Sequence, residues 1–410
     1  MTSRSAAAAA ALLACVGLVT SACSSGQPSG VQNSPSATPS ATSRVSSPSV
    51  PGTVSAAPSP ALPASPASPV APAAPATPAA PASGEQQVPA GFEPASVTFV
   101  SAKTGFVLGD ASCAGGACAT LVTTVDGGHA WSLVATVPPA LGEAGVSKVR
   151  FANTHDGWAF GPQLWSTHDG GHSWRQIAET APVADVEASN GRAYAIVGDQ
   201  VLRSDVTGDS WVAVPGAPPV SATGAIALHG AAVWIVSGGA PDASALLTSP
   251  DGVSWQTFAR PCASLGADWA LAGVAPVSET SIYLLCGGDA GAGSESKKVL
   301  LSTDAGAHTT PTSADPPRGG DANGIAAASM SVVAVSARSG ASEVYRSDDG
   351  GDSWQAPLQE GDGGVGYFDL GFTTPTQGVV VYGQPGMGSG VTAKLLITRD
   401  AGASWAPVSF

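Results

Sequence analysis

The chain has 410 residues, with 16 Lys and Arg against 30 Asp and Glu and a net charge of −14. That length supports a large buried core, and the acidic balance excludes nucleic acid and anionic lipid head groups as natural partners.

In chain order, residues 1–22 read as a signal peptide. Arg4 is a thin basic start, Ala6 to Val19 is apolar, and Val19-Thr20-Ser21-Ala22-Cys23 closes the segment. The apolar run is shorter than a comfortable membrane span. Small residues and then Ser-rich sequence surround Cys23, which resembles a bacterial lipobox. Cys23 is therefore expected to carry a fatty-acyl lipid such as palmitate. Residues 23–88 form a Pro/Ala/Ser-rich tether with almost no charge. Nothing in it buries a core, and its prolines block helix. Fully extended it reaches on the order of 190 Å. The expected location is the outer face of the cell membrane, touched through the lipid only.

Beyond Cys15 and Cys23, four cysteines remain: Cys113, Cys118, Cys262 and Cys286. No companion His or Cys pair stands at zinc spacing, so an exported chain is expected to use them in disulfides.

Residues 89–410 repeat one unit. Ser347-Asp348-Asp349-Gly350-Gly351-Asp352-Ser353-Trp354 reads Ser/Thr-x-Asp-x-Gly-x-x-Trp. Asp349 can fold its carboxylate onto turn N–H groups, Gly351 can take φ > 0, and Trp354 opens the next strand. Thr124…Asp126…Gly128…Trp131, Thr167…Asp169…Gly171…Trp174 and Thr398…Asp400…Gly402…Trp405 match fully. Three copies are degraded. Ser204…Gly208…Trp211 has Val206 in the Asp place, and restoring Asp there is expected to stabilise. Ser249…Asp251…Trp255 is one residue short, and Ser302…Asp304…Gly306 puts Thr309 in the Trp slot. Seven copies at roughly 40–50 residue spacing, each preceded by three short strand patterns, predict an all-β, seven-bladed β-propeller.

The motif Phe151…Gly157-Trp158-Ala159-Phe160-Gly161…Trp174 recurs as Phe99…Gly105-Phe106-Val107-Leu108-Gly109 and Phe372…Gly378…Gly383. It is similar to the BNR/Asp-box propellers, most closely those of the photosystem II stability/assembly factor type, and to those of sialidases and the sortilin family. The resemblance covers residues 94–410. It implies box turns between strands three and four, at the periphery of one face. The opposite face then carries the two-three loops and the blade-to-blade connections. On that geometry Cys262 and Cys286 end adjacent strands and can bridge, and Cys113 and Cys118 share one loop.

Sialidases on this scaffold use three arginines for a carboxylate, and only Arg150 falls on an expected innermost strand. Asp185, Glu187 and Asp369 also fall on first strands and read as polar lining of a channel. His129, His168, His172 and His308 read as exposed turn residues. The function expected is a monomeric, non-enzymatic binding or assembly scaffold for a protein or glycan partner, with no cofactor, metal or nucleic acid. The alternative is an exo-sialidase-like glycoside hydrolase or lectin. Binding is expected on the long two-three loops Asp110–Cys118, Gly238–Ser244, Gly287–Lys297 and Gln384–Thr392, opposite the boxes.

Overall fold

Short Val-, Ile- and Leu-rich runs, punctuated by Gly turns, form 28 strands among the described residues of a computed structural model. Those residues are 86–410, apart from 114–115, 180, 239–243, 362–363 and 388–389. Cys23, the signal segment and nearly all of the tether lie outside them, as does most of the expected blade 4 loop. Seven four-stranded sheets follow one another, each built from consecutive antiparallel strands. The fold is the seven-bladed propeller expected. The first strands are Glu93–Phe99, Lys148–Phe151, Val183–Ser189, Ala225–His229, Ala270–Pro276, Asp321–Ala327 and Tyr367–Phe372. All seven supply residues to one central cavity.

Second strands such as Gly157–Phe160, Ala232–Ser237 and Gly378–Tyr382 are buried throughout. They are packed on both faces by adjoining blades, which is why they read as unbroken apolar runs rather than as alternation. The buried side chains sort into seven clusters, each spanning one pair of neighbouring blades. Full burial of a Val, Leu, Ile or Phe stabilises by about 1.5–3 kcal/mol. These interfaces therefore outweigh any single turn bond, worth about 1 kcal/mol net.

The box tryptophans belong to the interfaces. Trp131, Trp174, Trp211, Trp255, Trp354 and Trp405 each pack on the cluster shared with the preceding blade. The interface between blades 4 and 5 lacks one, because Thr309 takes its place. There Cys262 and Cys286 are fully buried and disulfide-bonded, beside Trp269 and Phe258. The covalent bridge stands at the interface without its wedge.

In each full box the hydroxyl is the hub. Ser347 is 1% exposed. Its Oγ accepts the Gly351 N–H at 2.8 Å and donates to Asp349 Oδ1 at 2.7 Å. Asp349 then accepts the N–H groups of Asp352 and Ser353 at the surface. The other boxes repeat this, with Gly128, Gly171, Gly306 and Gly402 donating to Thr124, Thr167, Ser302 and Thr398 at 2.8–2.9 Å. Gly351 has φ 99°, and a Cβ there would lie 2.5 Å from Thr312. The His308 N–H holds Asp304 down to about 2, and the Ser254 N–H does the same for Asp251. Ser347→Ala strands the buried Gly351 N–H and is expected to cost about 1–3 kcal/mol. Denaturant unfolding measures this, and a smaller loss than for Asp349→Ala would contradict the hydroxyl-centred turn.

Among the described residues no strand is exchanged at ring closure: blade 1 uses Glu93–Thr136 and blade 7 uses Tyr367–Pro407. Side chains join them. Phe410 packs 4.8 Å from Phe92 and 5.3 Å from Trp131, and Arg399 donates to the Gly127 carbonyl at 2.8 Å.

Two expected loops are strand instead. Gly105–Cys113 pairs with Gly116–Thr124, and Ile282–Gly291 with Ser294–Ser302. Glycine and alanine there resemble loop composition, but their backbones complete the ladder. Cys113 bridges Cys118 at the blade 1 tip. In blade 5, the buried Lys297 ammonium donates to the carbonyls of Glu295, Gly319 and Gly320 at 3.1, 3.0 and 2.7 Å. Both hairpins project on the face opposite the boxes.

Candidate functional site

Alternation along the first strands decides what faces the centre. Lys148 and Arg150 share one side of their strand, as do Asp185 and Glu187 of theirs. With Asp369 they line a cavity of about 430 Å³. Arg150 is the middle of the group. Its Nε donates to Glu187 Oε1 at 2.6 Å and its Nη2 to Asp369 Oδ1 at 3.0 Å. Asp369 Oδ2 also accepts Ser96 Oγ at 2.5 Å and the Val97 N–H at 3.0 Å. These bonds tie blades 7, 1, 2 and 3 together across the ring closure.

Asp369 is placed by a bulge, where pairing shifts between Phe368 and Gly371. It holds φ 50°, a left-handed conformation that Asp tolerates better than most residues. Burial disfavours its charge, but the Arg150 guanidinium outweighs that and holds its carboxyl below the usual range. Burial pushes Glu187 up, and Arg150 only partly offsets this. Burial also works against the Arg150 charge, yet Asp369 and Glu187 hold its pKa well above its ordinary value. Asp185 is 4% exposed; its Oδ2 accepts the Ile226 N–H at 2.8 Å, and Lys148 Nζ stands 3.6 Å from its Oδ1.

The channel thus holds Arg150, Asp185, Glu187 and Asp369, which sequence reasoning placed on first strands. It adds Lys148 and Ser96, which that reasoning missed. The period-2 spacing from Arg150 back to Lys148 was the available signal. The box residues stay apart at the periphery, one set to each blade. Among the described residues, no group of three His, Cys, Asp or Glu is arranged to hold a metal ion.

His168 is more than an exposed turn residue. Its Nδ1 meets Asp156 Oδ1 at 2.6 Å, and its Nε2 meets Asp209 Oδ1 of the next blade at 3.4 Å. Arg175 also reaches Asp209, at 2.6 Å. This inter-blade latch secures the degraded turn that contains Val206. Burial disfavours the imidazolium, but the two carboxylates outweigh it and raise the pKa. The latch therefore contributes stability that is complete below about pH 6.5 and is lost as pH rises through the raised value. Wild type is expected to lose stability across that window relative to His168→Gln, read from melting temperatures. A constant difference between the two proteins would contradict the latch.

Comparison with known proteins adds the fold. No family model matches the sequence, and no curated protein matches it. A solved structure described as YCF48 bound to D1 peptide is similar with TM-score 0.50 and 21% identity, over 77% of this chain and 95% of that one. YCF48 from Cyanidioschyzon merolae gives 0.52 and 16%, over 77% and 97%. The acylaminoacyl peptidase of Pyrococcus horikoshii gives 0.51 and 8%, over 78% of this chain and 52% of that one. At these identities the likeness is one of fold.

Proposed function

We propose that the chain is exported, anchored through lipidated Cys23 to the outer face of the cell membrane, and holds a partner on the propeller face opposite the boxes. It acts as a monomeric binding or assembly scaffold and does not transform what it binds. The observation that carries this reading is the state of the channel carboxylates. A glycoside hydrolase needs two carboxyl groups facing each other across the substrate, whereas Glu187 and Asp369 share one guanidinium and Asp185 stands beside Glu187 on the same strand. An exo-sialidase needs free arginines for its substrate carboxylate, and Arg150 is already neutralised. The two projecting hairpins, one bridged at its tip and one caged by Lys297, supply stiff surface that loses little entropy on binding. A YCF48 propeller holding a D1 peptide is a precedent for a peptide partner on this fold, and a glycan remains the other class. Affinity capture from membranes with the intact lipoprotein tests the proposal. The expected result is a partner retained by wild type and lost when the Gly287–Lys297 hairpin is shortened to a tight turn. Turnover of a fluorogenic sialoside, abolished by an Arg150 substitution, would replace this reading with the hydrolase.

A further inference from the structure

The channel cluster has an uneven charge and hydrogen-bond count. Three carboxylates, Asp185, Glu187 and Asp369, meet two cations, Lys148 and Arg150, which leaves one negative charge in excess. Both oxygens of Asp369 are bonded. Glu187 Oε1 accepts from Arg150, and among the described residues no donor reaches its Oε2. Asp185 Oδ1 is buried and has no hydrogen bond; the Lys148 ammonium, 3.6 Å away, is too distant to donate. Asp185 and Glu187 are two residues apart on one strand, so both face the cavity. Ile226, Ile325 and Leu370 line it beside them.

We propose that this channel is a pocket for one cationic side chain of a polypeptide partner, an ammonium on an aliphatic stem. An ammonium has three donors, enough for Asp185 Oδ1 and Glu187 Oε2 together. Its methylenes suit the apolar lining, and its charge completes the balance. A carboxylate ligand meets the opposite conditions, because it is repelled and finds Arg150 already engaged by Glu187 and Asp369. Lys148 stands where the incoming group would enter. It is 41% exposed and can swing aside, so the chain carries its own weak competitor.

The inference rests on the binding reading above and names its chemistry. The test uses the full-length mature chain and the peptide acetyl-Gly-Gly-Lys-Gly-Gly-amide, titrated by calorimetry or NMR at low ionic strength. The acetyl-lysine counterpart is expected to bind at least about tenfold more weakly. Asp185→Asn keeps an oxygen for the Ile226 N–H but loses the charge, and should weaken the lysine peptide by about tenfold or more. Glu187→Gln gives the same reading if that variant does not fold. Lys148→Met, which removes the competitor, should tighten binding. Equal affinity for both peptides, unchanged affinity in the carboxylate variants, or no binding up to about 10 mM would overturn the pocket. Glucosamine binding in place of the peptide would overturn the polypeptide assignment. A membrane partner captured equally well by Asp185→Asn removes the pocket and leaves the scaffold. Peptide binding with no membrane partner does the reverse.

Discussion

Arg150→Ala is expected to cost about 3 kcal/mol of folding stability, the low end of the range for breaking a buried ionic group, because these side chains keep 10–28% of their exposure. The guanidinium bonds Glu187 and Asp369 from two other blades. Without it, both carboxylates lose their guanidinium partner in a half-buried channel, and Lys148 over Asp185 is the cation that remains there. The loss is mostly the penalty of stranded charge, not the net value of the ion pairs. Arg150→Met combined with Glu187→Gln and Asp369→Asn should therefore recover much of it. Urea unfolding of the single and triple variants measures both. A triple variant as unstable as Arg150→Ala would mean that the group acts through packing rather than charge.

Val206→Asp is expected to destabilise by about 3 kcal/mol, the opposite of what the repeat pattern suggests. Val206 is 6% exposed and packs with Trp158 and Trp211 between blades 2 and 3. The turn around it has a different form from a full box. Gly208 N–H bonds the Asp205 carbonyl at 3.0 Å, and Ser204 Oγ donates to the Gly208 carbonyl at 3.0 Å. A full box needs two successive residues at φ > 0, such as Gly350 and Gly351. Thr207 occupies the first of these places, and a β-branched residue resists it. A carboxylate at 206 would then lie in an apolar interface without donors. Val206→Asp with Thr207→Gly permits the box turn and should regain stability over Val206→Asp alone. A rise in melting temperature for the single variant would contradict this account.

These two residues mark how much the sequence disclosed. The blade count and the four strands of each blade followed from the boxes, because a tight turn with a fixed donor pattern leaves a fixed residue signature. The role of each box tryptophan did not, since packing on the preceding blade is a contact between segments about 40 residues apart. The Gly- and Ala-rich stretch 287–297 resembled loop, yet antiparallel pairing needs only backbone and gives small residues no distinguishing pattern. In the channel, Arg150, Asp185, Glu187 and Asp369 were individually visible on first strands. The convergence of Glu187 and Asp369 on the Arg150 guanidinium depended on ring closure and on the bulge at Asp369, neither of which local spacing encodes. His168 joined an ion-pair group for the same reason, because Asp209 reaches it from the next blade.

On the proposed function, the partner lies against the face opposite the boxes. A photo-crosslinking residue placed at Ala290 or Ala117, exposed on the two projecting hairpins, tests it in intact membranes. Val253, 54% exposed on a box turn, serves as the control on the other face. The account predicts a shared crosslinked partner from Ala290 and Ala117 and none from Val253. The same partner recovered from Val253 alone would place the binding surface on the box face and contradict it.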